Sequence, residues 1–185
     1  MFKPYGCVSQ FKPRPKKSKT LLGDFYDFPE DTMAIGRLDM DSEGLLLLTT
    51  DGMISYKVRD KSIEKEYYVQ LDGEITDEAI SKLCSGVEIS TNGEIYKTLP
   101  CKAFKLETEP ILPPRGRNIR HSKHGATSWA SITVSEGKFR QVRKMTAVVG
   151  FPTLRLVRVR IGNIHIDNLL PNEVVILDNL NGAFI

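Results

Sequence analysis

The chain has 185 residues and a mass of 20.8 kDa, with 41% hydrophobic and 26% charged residues. These values fit one globular domain with a substantial core and exclude disordered, collagenous and disulfide-scaffold classes. The net charge of +3 hides a pattern: residues 1–23 carry +6, 24–109 carry −10, 110–160 carry +10 and 161–185 carry −3.

Two basic blocks around an acidic middle suit a polyanionic partner held through its phosphates. The plainer alternative is a solvated surface whose charges average out. The longest strongly apolar run, Leu45 to Leu48, is far too short for a membrane span. The opening Met1-Phe2-Lys3-Pro4 does not read as a secretion signal. Cys7, Cys84 and Cys101 are odd in number and far apart, which predicts reduced thiols in a cytosolic protein.

Residues 9–24 are basic and proline-containing and read as a loop. Apolar residues lead into Arg37-Leu38-Asp39, and Gly44 opens a β-like run through Thr49 before a turn at Asp51-Gly52. Lys65 to Leu71 alternates as a strand, with Tyr67, Val69 and Leu71 on one face and Tyr68 and Gln70 on the other. Thr76 caps a helix that carries Asp77 and Glu78 in its first turn, buries Ile80, Leu83 and Cys84, and stops at Gly86. Asn92-Gly93 marks a hairpin. Residues 110–127, rich in Pro, Gly and basic residues, form a long exposed loop, which is usually a functional one. A strand follows from Trp129 to Val134, then a turn at Glu136-Gly137 and a helix from Phe139 to Val149 ended by Gly150. Arg140, Arg143 and Lys144 share one face of that helix. Thr153 to Ile161 alternates as a strand with Arg158 and Arg160 opposite Val157, Val159 and Ile161, and Val174 to Leu177 is a last short strand. Strands in hairpins with few helices predict an α+β fold with an antiparallel or mixed sheet.

Three segments carry chemistry. The first is Gly36-Arg37-Leu38-Asp39-Met40-Asp41-Ser42-Glu43-Gly44, with alternating acids. A calcium loop is excluded, because Thr50 stands where a bidentate Glu is needed. An aspartyl phosphatase would use Asp39 as nucleophile and Asp41 as acid, but no later acidic pair would hold its magnesium. The bland alternative is a loop whose acids cap nearby backbone N–H groups. The second segment is Lys65-Glu66-Tyr67-Tyr68-Val69, where a ring either fills the core or stacks on a base. The third is Glu136 to Met145, whose basic side chains follow a basic loop and precede Arg155, Arg158 and Arg160, suggesting a shared phosphate-binding surface. His121, His124 and His165 form no metal set with cysteines or acids.

Together GRLDMDSEGLLLLTTDG at 36–52, KEYYV at 65–69 and EGKFRQVRKM at 136–145 resemble the RsuA/RluB/RluE/RluF family of RNA pseudouridine synthases. The Lys3-Pro4-Tyr5-Gly6 opening, the Pro- and Arg-rich loop before Trp129 and MTAVVGFPTLRLVRVRIG at 145–162 are similar to its RluE branch, which acts on large-subunit (23S-type) ribosomal RNA. One departure is Phe2, where the family usually has Asn. The resemblance implies a pseudouridine-synthase-like α+β fold, a mixed or antiparallel sheet with flanking helices and two lobes around a basic cleft. It implies one catalytic domain over 1–185, without the separate N-terminal RNA-binding domain that many relatives carry.

The implied reaction isomerises uridine to pseudouridine: uracil is detached, rotated and rejoined through carbon 5. Asp39 matches the catalytic aspartate, Tyr67 the tyrosine that packs on the base, and Arg143 the basic partner of the aspartate. Arg37 matches the arginine of the same loop, used near the flipped nucleotide. A stacked base must be turned out before a side chain reaches it. A carboxylate shut off from water needs a cation within about 4–6 Å to stay ionised, and guanidinium can bind both its oxygens. Asp39 acts as a nucleophile or as a base; the residues do not choose. Expected RNA contacts are Arg37, Lys65, Lys138, Arg140, Gln141 and Lys144, with Arg115, Arg117, Arg120 and Lys123 on phosphates from the loop. No metal or cofactor is called for, since bonds break and re-form within one nucleotide. The expected partner of this cytoplasmic monomer is large-subunit ribosomal RNA, free or in a pre-ribosomal particle. The alternative is a non-catalytic RNA-binding or ribosome-assembly factor that keeps the fold.

Overall fold

In the computed structural model, which describes residues 1–12, 19–117, 119 and 125–177, the chain divides into two units. The first comprises Met1–Ile63, Pro113–Arg117 and Val157–Ile185; the second comprises Glu64–Leu112 and Asn118–Leu156.

In the first unit, β1 (Phe2–Lys3) runs antiparallel to β3 (Glu43–Leu45), with Phe2 opposite Leu45 and Lys3 opposite Gly44. On its other side β3 runs parallel to the C-terminal part of β10 (Thr153–Ile161), with Glu43 opposite Val157. A hairpin returns β10 to β11 (Ile164–His165). A separate ladder joins β2 (Met33–Ala34) to β4 (Leu48–Thr49). Cys7, Leu22 and Leu46 are buried beside these strands, with Phe11, Phe25 and Phe28 packed against them. The sequence reads Asp51-Gly52 as a turn; instead Asp51 caps helix α1 (Gly52–Val58), its carboxylate accepting from the N–H groups of Met53 at 2.7 Å and Ile54 at 3.4 Å. The expected strand at Val174 to Leu177 does not form. Its place is taken by loop pairing upstream, where the Phe2 N–H donates to the Glu173 carbonyl and the Asn172 N–H to the Phe2 carbonyl.

The second unit is built as its alternation predicts. β5 (Lys65–Asp72) pairs antiparallel with β9 (Thr127–Val134) along its full length, Tyr67 opposite Ile132 and Val69 opposite Ala130. The strand order is β10-β5-β9-β8, with β8 at Lys102–Leu106. Val69 and Leu71 meet Ala130 and Ile132 in one core, onto which α2 (Asp77–Ser85) lays Ala79 and Leu83 and α3 (Gln141–Val148) lays Val142 and Met145. Thr76 caps α2 by accepting the Ala79 N–H, and Gly86 ends it at φ +83°. The Asn92-Gly93 turn joins β6 (Glu88–Thr91) to β7 (Glu94–Lys97) with both turn residues at positive φ. The fold is thus α+β with a mixed sheet: β3 runs parallel to β10, whereas β1–β3, β10–β11, β5–β9 and β8–β9 pair antiparallel.

Gly44 is where the first unit admits no side chain. At φ +105°, a Cβ there would lie 2.3 Å from the Arg158 carbonyl oxygen and 2.7 Å from its nitrogen. Gly93 also has positive φ but open space around it. Gly44→Ala should therefore cost roughly 2–4 kcal/mol of stability, combining backbone strain with a clash that rigid backbone cannot relieve. Gly93→Ala should cost about 1 kcal/mol from conformation alone. Denaturant unfolding of the two variants checks the ranking.

Candidate active site

The acidic loop of the first unit is held from both sides of Asp39. Ahead of it, the buried Ser9 hydroxyl donates to the Leu38 carbonyl at 2.9 Å and accepts the Leu38 N–H at 3.0 Å. Behind it, the Gly6 N–H donates to the Met40 carbonyl at 2.8 Å, and the Ser42 N–H closes a turn onto the Asp39 carbonyl at 3.0 Å. These bonds alternate along the loop. Leu38 is buried, whereas Arg37 and Met40 are exposed and Asp39 is partly exposed. Asp39 is therefore a partly exposed residue on a backbone anchored at both of its neighbours.

β3, which follows, carries charge into the interior. Glu43 is 1% exposed, and the Arg115 Nε lies 3.3 Å from its Oε2. An Arg115 Nη also donates to the Asp41 carbonyl at 3.4 Å, and the guanidinium stacks 4.0 Å from the Tyr5 ring centre. Arg115, expected as a phosphate contact in an exposed loop, is instead drawn inside, its side chain 10% exposed. Buried Arg158 donates from Nε to the Leu45 carbonyl at 2.7 Å. Arg155 and Arg158, expected on a phosphate-binding surface, are both buried, because β10 is covered on both faces. Buried Lys3 donates from Nζ to the carbonyls of Cys7 at 2.7 Å and Pro4 at 3.0 Å.

In the second unit Tyr67 shares the core-facing side of β5 with Val69 and Leu71, packs against the core and remains partly exposed. Lys65 and Arg143 are also partly exposed, on β5 and α3. The start of α3 is organised by Glu136. Its buried carboxylate accepts from the Tyr96 hydroxyl at 2.6 Å, the Leu99 N–H at 2.9 Å and the Gln141 side-chain amide at 2.7 Å. The Gln141 amide oxygen in turn accepts the Lys138 N–H at 3.0 Å. Gln141, expected as an RNA contact, is therefore an interior residue that sets the helix start. Arg140 enters the helix at φ +54°, so α3 begins at Gln141 and not at Phe139. Lys138 lies 4.3 Å from the Tyr96 ring centre and Lys144 5.1 Å from that of the exposed Phe139. The phenol of Tyr96 is pushed up by its bond to Glu136.

Arg37, Arg117 and Lys138 are exposed, and Arg140 and Lys144 partly so. Arg120 and Lys123 lie outside the described residues. Sequence reasoning missed Ser9, Tyr5 and the anchoring parts of Glu43 and Glu136. Only Glu136 carried a signal, as the single acid in a block of eleven cations. Among the described residues no group of His, Cys, Asp or Glu could hold a metal ion.

The sequence model of the RNA pseudouridylate synthase family matches residues 1–148. A ribosomal large subunit pseudouridine synthase E from Xanthomonas campestris pv. campestris is 42% identical over 173 residues, 92% of this chain and 90% of that protein. A ribosomal large subunit pseudouridine synthase B from Yersinia pestis is 32% identical over 141 residues, 75% of this chain and 38% of that protein. A crystal structure of a pseudouridylate synthase superposes with a TM-score of 0.72 at 28% identity, covering 94% of this chain and 66% of that one.

The buried ammonium of Lys3 makes the first unit sensitive to pH. Burial, opposed by Cys7, Glu43 and Asp41 and reinforced by Arg158, lowers its pKa from 10.5 to about 8. Between those values the unfolded chain keeps a proton that the folded chain has lost, so stability attributable to Lys3 rises with pH. Lys3→Met removes that rise. From pH 8 to 10.5, the wild-type stability should gain on the variant by up to about 1.4 kcal/mol per pH unit. Cys7, whose thiol burial pushes up, is common to both proteins and largely cancels. Urea unfolding at a series of pH values checks the difference; parallel curves would refute it.

Proposed function

The chain belongs to the RNA pseudouridylate synthase family, and from that premise we propose that it converts a uridine of large-subunit ribosomal RNA to pseudouridine, with Asp39 as the catalytic carboxylate. The observation that carries this reading is the family match over residues 1–148, a span that includes the segments of Asp39, Tyr67 and Arg143. The relatives named as ribosomal large subunit pseudouridine synthases supply the substrate class.

The reaction breaks the bond between ribose C1′ and uracil N1 and forms one between C1′ and C5. N1 takes up a proton and C5 gives one up, so no electrons enter or leave. A carboxylate positioned against the extruded nucleotide serves either as nucleophile or as base, and backbone bonds on both sides of Asp39 support such positioning. Arg143 is the basic partner that the family resemblance implies for that carboxylate. Tyr67, fixed by the core behind it, packs on the flipped base and assists proton transfer. Arg37, Lys65, Arg117, Lys138, Arg140 and Lys144 hold the strand through its phosphates, and Arg120 and Lys123 join them from the basic loop. The enzyme acts in the cytoplasm as a monomer, on free ribosomal RNA or an assembling particle.

Asp39→Asn should leave affinity for a large-subunit ribosomal RNA transcript within a factor of two. It should lower pseudouridine formation at least about 10²–10⁴-fold, the range that a single acid–base group supplies. Conversion scored by chemical mapping of pseudouridine reads the result, and unaltered conversion by the variant would refute the assignment. Affinity should also fall with salt, with a log–log slope of about −0.7 for each single-stranded phosphate neutralised. Filter binding across a salt series measures it, and a flat response would count against phosphate recognition.

A further inference from the structure

Arg115 stands apart from the other cations of its loop. It belongs to Pro113–Arg117, five residues that pack with the first unit although Leu112, just before them, belongs to the second. The neighbouring Arg117 is exposed. Arg115 engages groups from two other parts of the chain, among them the Glu43 carboxylate at 3.3 Å, the Asp41 carbonyl at 3.4 Å and the Tyr5 ring at 4.0 Å. Two of these lie in the segment that begins with Asp39. Ser9 and Gly6 hold that segment at Leu38 and Met40, and Arg115 holds it at Asp41 and Glu43, on the C-terminal side of the carboxylate.

From this geometry we propose that Arg115 is a positioning residue for the isomerisation, a strap that fixes the loop bearing Asp39, and not a phosphate contact. The proposal rests on the reading of Asp39 as the catalytic carboxylate. A guanidinium suits the task because it can meet a carboxylate, a carbonyl and an aromatic face at once through a planar fork. A lysine in its place keeps the charge near Glu43 but loses that simultaneous reach. A shift of the loop by about 1 Å is enough to cost roughly 100-fold in rate when a reacting group must meet its target. The basic loop is thereby divided by function. Arg115 faces inward and sets geometry, while Arg117 faces solvent and is available to RNA.

The test separates binding from chemistry. Arg115→Met, Arg115→Lys and Arg117→Met are compared with wild type for affinity to a large-subunit ribosomal RNA transcript, the salt dependence of that affinity and the single-turnover rate at saturating enzyme. Arg115→Met should keep affinity within about twofold and leave the salt slope unchanged, while the single-turnover rate falls roughly 10- to 100-fold. Arg115→Lys should recover part of the rate. Arg117→Met should weaken binding and make the slope shallower by about 0.7. The proposal is overturned if Arg115→Met lowers affinity and slope while its saturated rate holds, as a phosphate contact would. It is equally overturned if its rate is unchanged. Should Arg115→Met fail to fold, Arg115→Lys and Tyr5→Leu are compared at a temperature where both remain folded, and undiminished saturated rates in both would refute it. Asp39→Asn, run alongside, reports on the underlying reading by itself: a fully active Asn variant rejects Asp39 as the catalytic group whatever Arg115 does.

Discussion

A carboxylate that is 1% exposed cannot stand alone, and the fixed backbone around Asp39 depends on how Glu43 is compensated. Charge buried without a partner costs several kcal/mol. Here the Arg115 guanidinium reaches Glu43 directly, and buried Lys3, opposite Gly44 in the ladder, is close enough to feel its field. Such an arrangement is weak evidence of net stability, because desolvating the cations offsets much of the attraction. Its consequence is specificity. β3 is only three residues long, too short for register to be set by apolar alternation, and a slip by one residue would move Glu43 away from its cations and put a side chain where Gly44 meets the backbone of Arg158.

The second unit uses the same device in a different setting. Glu136 is buried, and its two oxygens are filled by a phenol, a backbone N–H and an amide. In the first unit a buried carboxylate lies four residues after Asp39; in the second, one lies seven residues before Arg143. Each ties a short connecting segment to a rigid element. Hydrogen-bonding partners differ because the tasks differ. Glu43 anchors a strand through charge, whereas Glu136 gathers neutral donors and fixes where a helix begins.

How much of this was legible in the sequence follows from which forces decide each element. β5, α2 with its Thr76 cap and Gly86 stop, and the Asn92-Gly93 hairpin are governed by local rules, and the sequence shows them plainly. α1 was hidden because Asp51-Gly52 is as good a turn as it is a helix cap, and seven residues carry little periodicity. The end segment Val174–Leu177 has strand-like side chains but forms no ladder, and pairing partners are not a local property. Among candidate site residues, Asp39, Tyr67 and Arg143 were singled out by motif resemblance. The inward turn of Arg115, Arg158 and Gln141 was not, because a polar side chain reads as surface until its buried partner is known. In each case that partner lies elsewhere: Glu43 for Arg115, the Leu45 carbonyl for Arg158 and Glu136 for Gln141.

The same misreading bears on charge. Residues 110–160 hold eleven cations, and from sequence most of them read as one phosphate-binding surface. In the folded chain Arg115 is engaged with Glu43, Asp41 and Tyr5, and Arg155 and Arg158 are buried. Cations already desolvated and held by protein groups release no counterions when a phosphate backbone arrives, so they add nothing to the salt dependence of binding. Their positive potential still contributes at long range, where steering depends on the summed field and not on contact. A block of +10 therefore adds to the long-range field as a whole, while only its exposed members are open to a phosphate backbone.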